Sequence, residues 1–171
     1  MKKIIIAAVL LFGLSNAGAQ TFSEGTSVVQ LGAGIGSDFG LPLGASYEYG
    51  ISDKIGVGAY AGYASKSYNT AGFSAFDYKV TYMIFGAKGN YHFYQSDKID
   101  AYGGVLLGYN SAKITYDNGS PNFPGYTSPT YGGTVFGGSV GARYYFTDNI
   151  AAFAELGYGI GYLTVGLAYK L

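Results

Sequence analysis

From residue 28 to the end of the chain, apolar and polar residues alternate with a period of two in one segment after another. Successive side chains on a strand point to opposite faces, so this pattern specifies strands with one apolar side, not helices, whose apolar positions recur every three to four residues. Eight segments carry it: Val28 to Ser37, Gly44 to Ile51, Ile55 to Lys66, Tyr78 to Phe93, Ile99 to Tyr116, Thr134 to Phe146, Ile150 to Tyr158 and Tyr162 to Leu171. One face is free of charge throughout six of the segments, and from Met83 to Phe93 and Ile99 to Tyr109 in the fourth and fifth, as in Val29, Leu31, Ala33 and Ile35, or Ile99, Ala101, Gly103, Val105, Leu107 and Tyr109. The other face collects Gln30, Glu48, Tyr60, Lys88, Asn90, His92, Asp100, Tyr102, Asn110, Ser139, Arg143, Glu155, Thr164 and Lys170, interleaved with glycines. An even number of such strands, apolar outside and polar inside, predicts an all-β fold: an eight-stranded antiparallel up-and-down transmembrane β-barrel.

The first residues have a different character. Lys2 and Lys3 lead into an apolar run from Ile4 to Leu14, followed by Ala17-Gly18-Ala19. A run of about ten apolar residues is too short for a membrane helix, which needs about twenty, and its flanks suit a signal peptidase. Residues 1–19 therefore read as a secretory signal peptide cut between Ala19 and Gln20, and residues 20–171 as one barrel domain. The chain has no cysteine, which removes both a lipid anchor at the cleavage site and disulfides as a source of order. Ten basic residues balance ten acidic ones, and loss of Lys2 and Lys3 leaves eight against ten; nucleic-acid binding gets no electrostatic support. Only 12% of residues are charged while 18% are aromatic, 19 of them tyrosine, a balance foreign to a soluble globule. With no long apolar run after residue 20, a membrane protein of this composition crosses as strands, which places it in the outer membrane of a Gram-negative bacterium.

Three segments share a turn pattern: Tyr49 to Ile55, Tyr94 to Ile99 and Phe146 to Ile150 each pass from an aromatic residue through Ser or Thr, Asp, and Lys or Asn to Ile. These read as tight periplasmic turns of an up-and-down barrel. Outward aromatics then fall at two heights, with Tyr49, Tyr91, Phe93, Tyr144, Phe146 and Tyr169 low and Tyr63, Tyr109, Phe136 and Tyr158 high, as interfacial girdles do. On the extracellular side, Asp117 to Gly133 is long and holds Pro121, Pro124, Pro129, Phe123, Tyr126 and Tyr131. The third to sixth strands exceed the roughly ten residues that a crossing needs, and are expected to project roughly 15 to 20 Å above the membrane.

Over residues 20–171 the chain resembles the small outer-membrane β-barrel family of the OmpA-barrel and OmpX-like type, porin-like in the generic sense. The resemblance rests on the signal peptide, the eight alternating strands, the projecting central strands and the terminal segment from Tyr162 to Leu171. It implies that Leu163, Val165, Leu167, Tyr169 and Leu171 form an assembly signal for the barrel-assembly machinery, with Leu171 where the family usually ends on an aromatic. It also implies contact with outer-membrane lipids and, through the loops, with an extracellular protein or surface ligand.

The candidate sites follow from the two ends of the barrel. Inside, Glu48, Asp100 and Glu155 face Lys88, Arg143 and Lys170, a self-neutralising set joined by Asn90 and His92. His92 and Asp100 are expected to meet across the turn near Ser96. A catalytic histidine would need a nucleophile or second base beside it, so the reading adopted for His92 is a polar contact near the periplasmic rim. Outside, Phe123, Tyr126 and Tyr131 form the candidate contact loop. No grouping of His and carboxylates has metal-ligand spacing, and no cofactor is expected. The favoured function is a non-enzymatic structural and surface-interaction protein. A narrow channel for small solutes, encouraged by the lumenal glycines, is the alternative, and an outer-membrane lipid-modifying enzyme the remote one.

Overall fold

A computed structural model describes residues 21–35, 40–68, 78–116, 130–159 and 161–171. The strands are β1 (Ser27–Ile35), β2 (Leu43–Gly50), β3 (Ile55–Tyr68), β4 (Tyr78–Gln95), β5 (Ile99–Tyr116), β6 (Thr130–Tyr145), β7 (Ile150–Gly157) and β8 (Leu163–Lys170). Each pairs antiparallel with its sequence neighbours. The sheet closes between β1 and β8, from Val28 opposite Lys170 to Ile35 opposite Leu163. Closure leaves no open edge at membrane depth, the condition for strands to cross hydrocarbon.

The three repeated turn motifs fold alike. The hydroxyl of Ser52, Ser96 or Thr147 accepts the backbone N–H of the isoleucine three residues later, at 3.1, 3.1 and 3.0 Å. A short polar side chain that bonds its own backbone is what makes these residues turn formers. All three turns lie at the end that holds the start of β1 and the end of β8. Short turns mark the periplasmic side of an outer-membrane barrel.

Several strand limits differ from the sequence expectation, for reasons of pairing. β6 begins at Thr130, four residues early, because β5 is long enough to offer partners: Lys113 pairs with Thr130 and Ala112 with Tyr131. Tyr131 is therefore a strand residue rather than a loop residue. β3 runs on to Tyr68 against Tyr78. The β4–β5 ladder shifts between His92 and Tyr94, so that His92 pairs with Tyr102 and Gln95 with Asp100. Such a bulge adds one residue to one strand and re-aims the side chains after it.

Outward residues alternate with buried ones as the period of two requires. Leu31, Val57, Phe85, Leu107, Phe136 and Leu167 are exposed, while Val28, Gln30, Glu48, Asn90, Tyr102 and Arg143 are buried. β1, β2, β7 and β8 have eight or nine residues, whereas β3 to β6 have 14, 18, 18 and 16. The tall strands rise about 20 Å higher at the usual rise and tilt. Above Tyr63, Met83 and Tyr109 their outward positions become Ser65, Ser67, Lys79, Thr81, Ser111, Lys113 and Thr115. Hydrocarbon contact ends there, since lysine at bilayer depth costs about 2–4 kcal/mol.

The narrow interior is filled by matching large side chains to glycines on the next strand. Glu48 occupies the space where Gly56 would carry a Cβ, Asn90 does so at Gly104, and the Tyr102 ring lies 2.8 Å from the Cβ position of Gly141. Adding a side chain at Gly141 is expected to destabilise the barrel by about 1–3 kcal/mol through overpacking. Equilibrium unfolding of Gly141→Leu in lipid vesicles checks this. Gly103→Ala is the control, because its Cβ position meets nothing closer than 3.8 Å.

Candidate functional site

Two regions bear on function: the lumen and the part of the sheet above the membrane. The lumen is stacked in layers from the periplasmic end. The first layer comes from the residues before β1. Gly25 takes a positive φ of 83°, a conformation that favours glycine, and turns the chain back so that Gly25 N–H donates to Gly50 O at 2.9 Å. Glu24 N–H donates to Asp53 Oδ1 at 3.2 Å, and Thr21 Oγ1 donates to Ile99 O at 3.3 Å. This arm carries Phe22 into the periplasmic mouth, where it is fully buried with Val28, Tyr145, Ala151, Phe153 and Ala168. Its ring stacks on His92 with centroids 3.7 Å apart and planes 10° from parallel.

Above Phe22 lies a charged layer drawn from β2, β4, β5 and β6. Arg143 donates from Nη1 to Asp100 Oδ2 at 2.9 Å, and from Nη2 to Glu48 Oε2 and to Gln30 Oε1. His92 Nδ1 lies 2.6 Å from Asp100 Oδ1 and His92 Nε2 2.9 Å from Glu48 Oε1. Each ring nitrogen of His92 thus faces a carboxyl oxygen, and Arg143 faces the same two carboxyl groups. Asn90 completes Glu48 with a 2.8 Å bond, and Tyr102 lies under the Arg143 guanidinium at 4.6 Å from its ring centre. Arg143 and Asp100 are inaccessible to solvent, a depth at which charge persists only when paired.

The next layer is the Lys88–Glu155 pair, at 2.6 Å, with Tyr102 OH donating to Glu155 Oε2 at 3.0 Å. Beside it lies a cavity of about 20 Å³ bordered by Gln30, Ser46, Tyr60 and Thr164, room for a single water. Toward the extracellular side the lumen turns apolar, with Ala64, Ile84, Leu106 and Val135 buried and Tyr60 and Tyr82 packed against them.

Glu48, Lys88, Asn90, His92, Asp100, Arg143 and Glu155 are thus brought together. Lys170 is not. Its Nζ sits 5.4 Å from the centre of the Tyr145 ring, and no carboxylate pairs with it among the described residues. Lys170 ends β8, at the rim, where solvent competes for its charge; His92, not Lys170, lies against Glu48 and Asp100. His92 meets Asp100 diagonally, because the ladder sets His92 opposite Tyr102 and Gln95 opposite Asp100. Sequence reasoning missed the arm altogether. The signal available was a lone phenylalanine in the polar lead Thr21-Phe-Ser-Glu-Gly-Thr-Ser27.

In the second region, Tyr131 on β6 is exposed, and Phe123 and Tyr126 lie outside the described residues. Tyr68 and Tyr78 stack at 5.0 Å on the same inward-facing side of the tall sheet, with Lys66 Nζ 5.1 Å from the Tyr68 ring centre. Asn110 donates to Tyr82 OH at 3.0 Å. Val165, Leu167 and Tyr169 on β8, with Leu171 just past its end, are exposed along the outward row, and Leu163 shares its parity.

Removing the Arg143 charge is expected to cost about 3–5 kcal/mol, because Glu48 and Asp100 would remain buried without compensation. Unfolding of Arg143→Met in vesicles checks this, and Lys170→Met at the rim is expected to change stability by under about 0.5 kcal/mol. Phe22→Ala is expected to cost about 3 kcal/mol, read by the same measurement.

The outer membrane protein beta-barrel domain family matches residues 4–168. Similar solved structures include Ail of Yersinia pestis, crystallised with the heparin analogue sucrose octasulfate, at 17% identity over 86% of this chain and 99% of that one, with a TM-score of 0.57. OprG of Pseudomonas aeruginosa is 14% identical over 88% of this chain and 97% of that one, with a TM-score of 0.62. The N-terminal barrel of Pseudomonas aeruginosa OprF is 18% identical over 86% and 98%, with a TM-score of 0.54. No curated protein matches the chain in sequence. The closed antiparallel barrel and the family match together make this chain a member of the outer-membrane β-barrel family, resident in the bacterial outer membrane.

Proposed function

We propose that this chain is a non-enzymatic outer-membrane protein, exported by a signal segment cut between Ala19 and Gln20, whose barrel anchors an extracellular contact surface. The filled lumen carries this reading. Phe22, the Arg143–Glu48–His92–Asp100 layer, the Lys88–Glu155 pair and the Ile84–Leu106 layer succeed one another along the axis. Charges so paired hold one another rather than a passing solute. Among the glycines that favour a narrow channel, Gly56, Gly104 and Gly141 have their space taken by Glu48, Asn90 and Tyr102. A general base needs a free nitrogen within reach of substrate, whereas both nitrogens of His92 face carboxylates beneath Phe22. That geometry supports the non-enzymatic reading over a lipid-modifying enzyme.

The contact surface is the tall sheet of β3 to β6 with the connection 117–129, which holds Phe123 and Tyr126. That Ail was crystallised with a heparin analogue supports a role in holding an extracellular protein or surface ligand. The apolar outward row meets membrane lipid, and we read Leu163, Val165, Leu167, Tyr169 and Leu171 as the signal taken by the assembly machinery.

Purified protein in planar bilayers is expected to be electrically silent. Reproducible unit conductance that shifts when Lys88 or Arg143 is neutralised would overturn the anchor reading in favour of a channel. Deleting residues 118–129 is expected to abolish adhesion of expressing cells to their extracellular partner while the barrel stays folded.

A further inference from the structure

The girdles account for tyrosines that point outward at the two interfaces. They do not account for those on the inward face of the tall sheet, above the outer girdle. Tyr82 stands opposite Ala112, and Ala112 opposite Tyr131, so tyrosines on β4 and β6 flank an alanine, about 10 Å apart at the usual strand spacing. Tyr131 is 64% exposed and Tyr82 half-buried. Below Ala112, Asn110 donates to Tyr82 OH at 3.0 Å, and its Oδ1 lies 3.9 Å from where Gly133 would carry a Cβ. An acceptor therefore stands at the foot of this slot, beside a residue without a side chain. Above the slot Tyr68 and Tyr78 stack, with Lys66 Nζ beside the Tyr68 ring. Among the described residues above the Tyr63–Met83 row, the charged side chains are Lys66, Lys79 and Lys113, and none is acidic.

The slot looks across the mouth toward the low wall of β7, β8, β1 and β2, and that wall stops at the membrane. Leu43, the first residue of β2, stands opposite Tyr63 of the outer girdle. At the other end of the wall, Tyr158 N–H bonds Gly138 O, two residues below Phe136 of the same girdle. The turns that top this wall carry Leu41 and Tyr162, 71% and 77% exposed. Leucine and tyrosine at a strand top belong in the interface rather than in open water. The mouth is thus open sideways, at headgroup height, to whatever lipid stands beside the low rim.

We propose that the slot between Tyr82 and Tyr131 holds the saccharide headgroup of an outer-leaflet glycolipid that leans over the low rim. It rests on the surface-contact reading above and names the ligand. A sugar ring presents C–H bonds on its faces and hydroxyls at its edge. The negative faces of tyrosine rings attract the first, and Asn110 at the foot of the slot takes the second. Lys66 complements the phosphate and acid groups that such headgroups carry, and the absence of carboxylates among the described residues there leaves nothing to repel them. Because the acyl chains stay in the membrane, the sugar arrives already held at the height of the slot.

The test uses the protein in phospholipid nanodiscs doped with rough-type lipopolysaccharide, which carries a core oligosaccharide, or with lipid A, which lacks it. With isotope-labelled tyrosine, the ring signals of Tyr82 and Tyr131 are expected to shift with the first and stay in place with the second. Core oligosaccharide released into solution is expected to shift them only at concentrations at least about tenfold higher, because anchoring raises the local concentration of the sugar. Read on Tyr82, Tyr131→Leu is expected to raise the half-saturating glycolipid fraction at least about fivefold, whereas Tyr131→Phe, which keeps the ring, binds as the parent does. Ala112→Leu, which fills the slot, is expected to abolish the shift. Lys79→Gln/Lys113→Gln on the outward face is expected to leave it unchanged. No shift with lipopolysaccharide, an equal shift with lipid A, unchanged binding by Tyr131→Leu, or loss on neutralising the outward lysines would each overturn the proposal. So would an equal response to the free oligosaccharide, which would assign the slot to a soluble glycan. A silent bilayer with no ring shift would leave the anchor reading standing and remove only this site.

Discussion

A backbone N–H or C=O in hydrocarbon has no water to bond, and each one left bare costs several kcal/mol. Everything else in this molecule follows from meeting that demand with strands. Eight strands must close, and β1 against β8 supplies the last ladder. Eight is also the size at which the interior is just wide enough for side chains. The barrel that solves the backbone problem therefore creates a second one, a polar interior with almost no room.

The interior meets that problem by complementarity of size and of charge. Glycines on one strand receive the bulk of Glu48, Asn90 and Tyr102 from the next, and Arg143, His92 and Lys88 meet the carboxyl groups of Glu48, Asp100 and Glu155. Because these bonds link β2, β4, β5, β6 and β7 across the lumen, they fix the relative heights of strands that share no ladder. Phe22 then closes the wet end with an apolar ring stacked on the His92 ring, shielding the charged layer from periplasmic water. A lumen so occupied leaves the upper sheet as the surface available to the outside.

That sheet inverts the rule that holds below it. Within the membrane, tyrosines such as Tyr49, Tyr63, Tyr91 and Tyr109 point outward to the interfaces, whereas above it Tyr68, Tyr78 and Tyr82 lie on the inward side and Ser, Thr and Lys face out. The exchange occurs without any slip in the period of two, which places the bilayer boundary on the strands themselves. It also separates the membrane-embedded part from the projecting part along the same four strands.

Strand number, outward face, periplasmic turns and lumenal membership were legible in the residues from Val28 to Leu171, because alternation and turn chemistry are local properties of a strand. The motif Ser-Asp-Lys-Ile predicts its own hydroxyl-to-backbone bond with no reference to the rest of the chain. What the tertiary structure decided are matters of register and reach. The bulge after His92, the early start of β6 at Thr130, the plugging arm with Phe22, and the place of His92 rather than Lys170 beside Glu48 and Asp100 each depend on which distant residue stands opposite. No local pattern encodes that, since opposition across a closed barrel is settled only when all eight ladders are satisfied together.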